Sequence, residues 1–188
     1  MRTLRFSAAL AAATVLGCTA RQTTPSPTPG DVIGAATPST IKATAVVRSA
    51  AGRELGTVLI ADDVSGWSFT GTLRGLPPGT HGIHLHAVGQ CDAPTFETAG
   101  AHWNPTTRQH GTKNSAGPHQ GDLPNITVAA DSTVVLSLRV SSGTLRGASA
   151  MMDADGASLV VHAAADDELT DPSGNTGARI ACGVIQGA

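Results

Sequence analysis

Between His81 and Asp122 the chain reads HGIHLHAVGQCDAPTFETAGAHWNPTTRQHGTKNSAGPHQGD, and six of the seven histidines of the protein fall in this one stretch. Beyond residue 87 the stretch is crowded with Gly, Pro, Asn and Asp and shows neither the alternation of a strand nor the period of a helix. The fold therefore has to be a rigid scaffold that carries a long loop set with imidazoles. Structureless loops of this length in a compact domain are usually functional or disordered, and a bound metal would supply the ordering energy this loop lacks.

The scaffold reads as strands. Short runs rich in Val, Ile, Leu and Thr occupy 41–49, 55–61, 67–74, 81–87, 126–130, 133–140, 143–149, 157–163 and 179–185. Turn residues separate them: Ala51-Gly52, Asp62-Asp63, and Pro77-Pro78-Gly79. No window of similar length carries a 3.6-residue period, so the sequence predicts an all-β antiparallel sandwich or barrel. Two stretches stand out as long loops, 88–125 and 164–178. With 3% aromatic residues and no Tyr, the core has to be built mainly from Val, Leu, Ile and Ala. The body from about residue 41 to 188 is long enough for one domain with a proper core.

The first 40 residues belong to something else. Arg2 and Arg5 precede an apolar run from Phe6 to Leu16, the order of a secretory signal, and the run is too short to span a bilayer. Val15-Leu16-Gly17-Cys18 resembles a bacterial lipobox, in which the chain is cut before the cysteine and the cysteine carries lipid. The alternative is ordinary cleavage near Ala20. On the lipobox reading, residues 1–17 are the signal peptide and Cys18 is the anchor. Residues 18–40, with four prolines between 25 and 38, form a flexible spacer. The expected location is the cell envelope or periplasm, with the lipoprotein tethered to a membrane. Loss of residues 1–17 leaves ten basic against fourteen acidic residues, a formal charge of −4. No block of like charge appears, and nothing suggests a nucleic-acid partner.

Alternation along a strand puts His84 and His86 on one face, outside the sheet, while Ile83 and Leu85 turn to the core. His81 shares the core parity and is expected to be a hydrogen-bonded structural histidine. In the loop, His102, His110 and His119 with Asp122 offer three imidazoles and a carboxylate, a donor set suited to zinc. Four protein ligands would close the site, which marks a structural zinc. A solvated polar loop with scattered histidines is the alternative.

Six pieces in order, HGIHLH, AGAHWNP, the His110-Gly111 pair, GPHQGDLPNI, LVVHAAADD and GNTGARIACGVI, together resemble the Cu,Zn superoxide dismutase family. The resemblance runs from about residue 41 to 187. It implies an eight-stranded antiparallel Greek-key β-barrel with two long functional loops. It also implies copper held by His84, His86, His102 and His162, and zinc held by His102, His110, His119 and Asp122, with the His102 imidazolate as the bridge. Asp166 matches the carboxylate that ties a copper-side histidine to a zinc-side one. Arg179 matches the arginine beside the copper that guides the anion, so Arg179 and His102 are the expected catalytic residues. Cys91 and Cys182 match the family disulfide, a bond suited to an exported protein.

The implied activity is disproportionation of superoxide to oxygen and hydrogen peroxide, protecting the envelope from extracytoplasmic superoxide. Zinc has no redox couple of its own, so copper must carry the electron. Two departures from the family pattern stand out. Trp103 replaces the usual Phe, and the 169–178 stretch is short, with Pro172 and Ser173 where many relatives carry charged steering residues. The competing readings are a non-catalytic copper- and zinc-binding envelope protein and, further off, a zinc hydrolase. The resemblance leaves a homodimer open, because the family pairs its barrels in different ways.

Overall fold

The computed structural model describes residues 40–63, 66–140 and 151–188. The signal, the spacer, the anchor cysteine Cys18 and the 143–149 run lie outside the described residues, apart from Thr40 at the start of the first strand. Nine strands are present among the described residues: β1 Thr40–Ser49, β2 Glu54–Asp63, β3 Gly66–Arg74, β4 Gly79–His81, β5 Ile83–His86, β6 Ile126–Val128, β7 Thr133–Val140, β8 Ser158–His162 and β9 Arg179–Gly187. The only helical element among them is a single 3-10 turn, Glu97–Ala99.

All pairings are antiparallel, in the order β5-β8-β9-β1-β2-β3-β7, with β4 paired to β6. The 81–87 run expected as one strand is broken at Gly82, whose N–H donates to Ala164 and whose carbonyl accepts from His162. The upstream piece therefore pairs with β6 and the downstream piece with β8. A tight turn at Ala129–Ser132 then leads from β6 to β7, Ala129 N–H bonding Thr133 and Ser132 N–H bonding Ala129. With β4 and β5 counted as one broken strand, eight strands run around a curled sheet. β3 pairs with β7 across the intervening β4 to β6, which is the Greek-key step.

Alternation places Ala43, Ala45 and Val47 of β1, Val58 and Ile60 of β2, and Trp67, Phe69 and Leu73 of β3 in one buried core. β8 departs from alternation because all five of its residues are buried. Leu159 and Val161 face the main core. Val160, on the other side, packs with Phe96, Ala99 and Cys182 under the loop that follows β5. A second, smaller core thus holds that loop down, and the Cys91–Cys182 disulfide fastens it, closing a sequence separation of 91. Chain-entropy reasoning assigns about 4 to 5 kcal/mol to a closure of this length.

Trp103 is also buried, stacked on Trp67 with ring centroids 5.5 Å apart. The residue next to His102 is thus anchored in the barrel core.

Candidate metal centre

Loop 88–125 is not free of the sheet. Trp103 N–H donates to the Leu85 carbonyl, Leu85 N–H to Gly121, and Gly121 N–H to Trp103. These bonds lay two pieces of the loop beside β5, so that His102 stands opposite His86 and Asp122 opposite His84. β5 is consequently buried on both faces. His84 and His86 do project together, away from Ile83 and Leu85, but onto a face covered by the loops. His162 arrives from the end of β8, held by the bond from its N–H to Gly82.

Two clusters result. In the first, one ligand-capable atom each from His84, His86, His102 and His162 lie within 4.8 Å of one another. In the second, His102, His110, His119 and Asp122 meet the same condition. Asp122 Oδ1 is 2.9 Å from His102 Nδ1, 3.0 Å from His110 Nδ1 and 3.2 Å from His119 Nδ1. Its other oxygen accepts the backbone N–H groups of Gly111 and His119, both at 2.9 Å. His102 is common to both clusters and turns a different ring nitrogen to each.

One feature of the first cluster bears on its chemistry. His84 Nδ1, His86 Nε2, His102 Nε2 and His162 Nε2 are all buried with no hydrogen-bond partner. Buried polar atoms are nearly always satisfied, so four orphans on four neighbouring rings need a common partner. On each ring the opposite nitrogen is engaged. His84 Nε2 meets Asp166 Oδ2 at 2.6 Å, His86 Nδ1 the Gly100 carbonyl at 2.9 Å, His102 Nδ1 Asp122, and His162 Nδ1 Thr176 Oγ1 at 3.1 Å. Four imidazoles with free, convergent nitrogens suit copper, and the N3O set suits zinc.

Charge follows the same division. Burial, with His102 next, pushes His86 down to about 2. Burial, resisted by the bond to Asp122, pushes His102 down to about 4, and burial with neighbouring His84 pushes His162 down to about 3. These rings are neutral at physiological pH and can bind a cation without losing a proton. His110 goes the other way, raised to about 9 because the bonds and charges of Asp122 and Asp166 outweigh its burial. Both carboxylates are held below their ordinary range despite burial, Asp122 by His102, His110 and His119, and Asp166 by His110 and His84.

Asp166 spans the clusters: its Oδ2 meets His84, and its Oδ1 lies 3.0 Å from His110 Nε2. Asn125 clamps its backbone on both sides, accepting from Asp166 N–H and donating to Asp166 O, each at 2.8 Å. Gly174 closes over it at φ +66°, and a Cβ there would collide with Asp166 Oδ1 and stand 2.7 Å from His110 Nε2. Arg179, half-buried, donates from Nη1 to the Phe96 carbonyl and from Nη2 to the Gly100 carbonyl, each at 2.7 Å. It also lines a cleft of about 440 Å³ together with Pro94, Thr95, Glu97, Gly177 and Ala178.

His81 sits in neither cluster, and its two nitrogens meet the carbonyls of His162 at 2.8 Å and Pro77 at 2.9 Å. The structural role expected of it matches these contacts. The supporting residues Asn125, Thr176 and Gly174 were not anticipated. Each acts through a backbone or hydroxyl contact between segments far apart in sequence, which no local spacing encodes.

An antiparallel β-barrel with one histidine shared between an all-imidazole cluster and an imidazole-carboxylate cluster defines a two-metal redox protein class. Residues 55–185 match the family model described as copper/zinc superoxide dismutase (SODC), and the chain belongs to that family. The family takes copper and zinc, and the two clusters offer donors for both.

Among similar proteins, a superoxide dismutase [Cu-Zn] of Caulobacter vibrioides is 43% identical over 148 residues, covering 77% of this chain and 85% of the relative. The superoxide dismutase-like protein YojM of Bacillus subtilis is 39% identical over 140 residues, covering 72% of this chain and 71% of the relative. A crystal structure of a SOD-like protein from Bacillus subtilis superposes with a TM-score of 0.71 at 37% identity, covering 74% of this chain and 95% of that one.

Proposed function

We propose that the chain is an active superoxide dismutase, converting two superoxide anions and two protons to one molecule each of oxygen and hydrogen peroxide. The observation that carries this reading is the set of four buried, unpartnered imidazole nitrogens beside Arg179. His84, His86, His102 and His162 would hold copper, and His102, His110, His119 and Asp122 would hold zinc. Copper supplies a one-electron couple able both to accept an electron from superoxide and to return one.

The chain's own residues do the rest. Asp166 and the Gly100 carbonyl lock the rings of His84 and His86, so little reorganisation accompanies electron transfer. His102 is held at Nδ1 by Asp122, which leaves Nε2 as the atom able to carry a proton towards the reduced product without the ring turning. Arg179 is tied through its guanidinium to two carbonyls, of Phe96 and Gly100, in the loop that the disulfide fastens. That fixes its positive charge at a cleft it shares with Glu97, and a fixed cation of this kind can focus a small anion against an acidic overall surface.

Cys18 is read as the lipidated first residue of the mature protein, the spacer to about residue 40 as its tether, and the envelope as its place of work. Lipid-mass detection on the mature N-terminus, with loss of membrane association in Cys18→Ala, tests that part. For the activity, protein reconstituted with copper and zinc is expected to remove superoxide catalytically and to lose that activity with cyanide. Full metal content without turnover would instead identify a metal-binding envelope protein.

A further inference from the structure

Three rings of the copper-side cluster are held from behind by Asp166, by the Gly100 carbonyl and by Asp122. The fourth, His162, rests on a different kind of group. Thr176 is fully buried, and its Oγ1 lies 3.1 Å from His162 Nδ1 and donates to the Ser173 carbonyl at 2.9 Å. A hydroxyl has one proton. With that proton directed at Ser173, Oγ1 can only accept from His162, so the hydrogen between them belongs to Nδ1. His162 Nε2, buried and unpartnered, is then left with its lone pair. The methyl group sets the hydroxyl in place, since a Cβ added at Gly82 would stand 2.6 Å from Thr176 Cγ2. The glycine that breaks the strand between β4 and β5 thus leaves room for this threonine.

We propose that Thr176 is a positioning residue for copper: its hydroxyl accepts from Nδ1–H of His162, which favours the form whose Nε2 is free, and holds the ring in this orientation. The inference rests on the copper role assigned to His162 under the proposed function. It concerns only the ring that reaches the cluster from outside the His81–Asp122 stretch. The Gly177 backbone also acts on the His162 ring, so loss of the hydroxyl weakens the hold without abolishing it.

Nitrogen-15 NMR of the histidines in zinc-loaded, copper-free protein tests the tautomer directly. The expected result is a protonated Nδ1 and an unprotonated Nε2 on His162, and a proton on Nε2 would overturn the proposal. Thr176→Val keeps the shape and removes the acceptor. It is expected to weaken Cu(II) binding about tenfold in chelator competition, the lower end for loss of a partner behind a ligand. It should also shift the parallel copper hyperfine splitting in EPR while zinc affinity stays unchanged, and Thr176→Ser should restore both readouts. Unaltered copper affinity and EPR in Thr176→Val would reduce Thr176 to packing. If the valine variant does not fold, the same copper-affinity and EPR readouts on Thr176→Ala decide. Copper bound with the expected Thr176 dependence but without superoxide turnover would sink the proposed activity and leave this inference standing.

Discussion

Arg179 and His86 share one acceptor. The Gly100 carbonyl takes Arg179 Nη2–H at 2.7 Å and lies 2.9 Å from His86 Nδ1. A residue read as guiding the anion and a residue read as binding the metal are thus registered to each other through a single oxygen. That oxygen belongs to the loop fastened by the Cys91–Cys182 bond.

Arg179→Ala should therefore act on approach and alignment more than on metal content. At low ionic strength kcat/KM for superoxide is expected to fall about tenfold or more, the lower bound typical of electrostatic focusing. Copper and zinc content should be retained, and the difference from the parent should narrow as salt is added. Unchanged activity at low salt would remove Arg179 from the mechanism.

Asp166→Asn keeps the shape of the bridge between His84 and His110 and removes its charge. Loss of such an outer partner typically costs 10- to 100-fold in metal affinity, and zinc binding is expected to weaken by about that factor. Chelator competition measures it. Gly174→Ala should act in the same direction, because its Cβ would displace the Asp166 carboxylate.

Metal-free protein should be most stable near pH 6.5. His86, His102 and His162 are depressed to about 2, 4 and 3, so between those values and 6.5 the unfolded chain binds protons that the folded chain refuses. Stability therefore falls as the pH drops below 6.5. His110, raised to about 9, gives the opposite slope: its contribution is complete below 6.5 and is lost as the pH rises towards 9. Urea unfolding across this range checks the maximum. By the same argument zinc binding near pH 7 should expel a proton from His110, visible by calorimetry in buffers of different ionisation enthalpy.

Cys91→Ser with Cys182→Ser is expected to cost about 2 to 5 kcal/mol of stability. It should also lower activity beyond that loss, because the freed segment carries the Phe96 and Gly100 carbonyls that hold Arg179. Denaturant unfolding and superoxide assays on the same preparation separate the two effects.

Much of this arrangement is legible in the sequence. Strand alternation turns His84 and His86 together, and the donors of loop 88–125 are rich enough to announce a metal. Resemblance to the family supplied the division into copper and zinc sets and the Cys91–Cys182 pairing. The break at Gly82 was not legible, because HGIHLH alternates smoothly through it. It arises from competition between β6 and β8 for the two halves of one run. Nor does the sequence show that the outer face of β5 is buried, since that depends on where Trp103 and Gly121 bond back to Leu85. Thr176 gives no signal at all until β8 and the 164–178 loop meet.

Superoxide decay in the presence of the protein loaded with one copper and one zinc tests the proposed activity most directly. The expected result is fast, catalytic loss of superoxide that is second order, inhibited by cyanide, weaker at high ionic strength and abolished with copper removed. A protein with both metals bound and a decay rate no faster than buffer alone would contradict it.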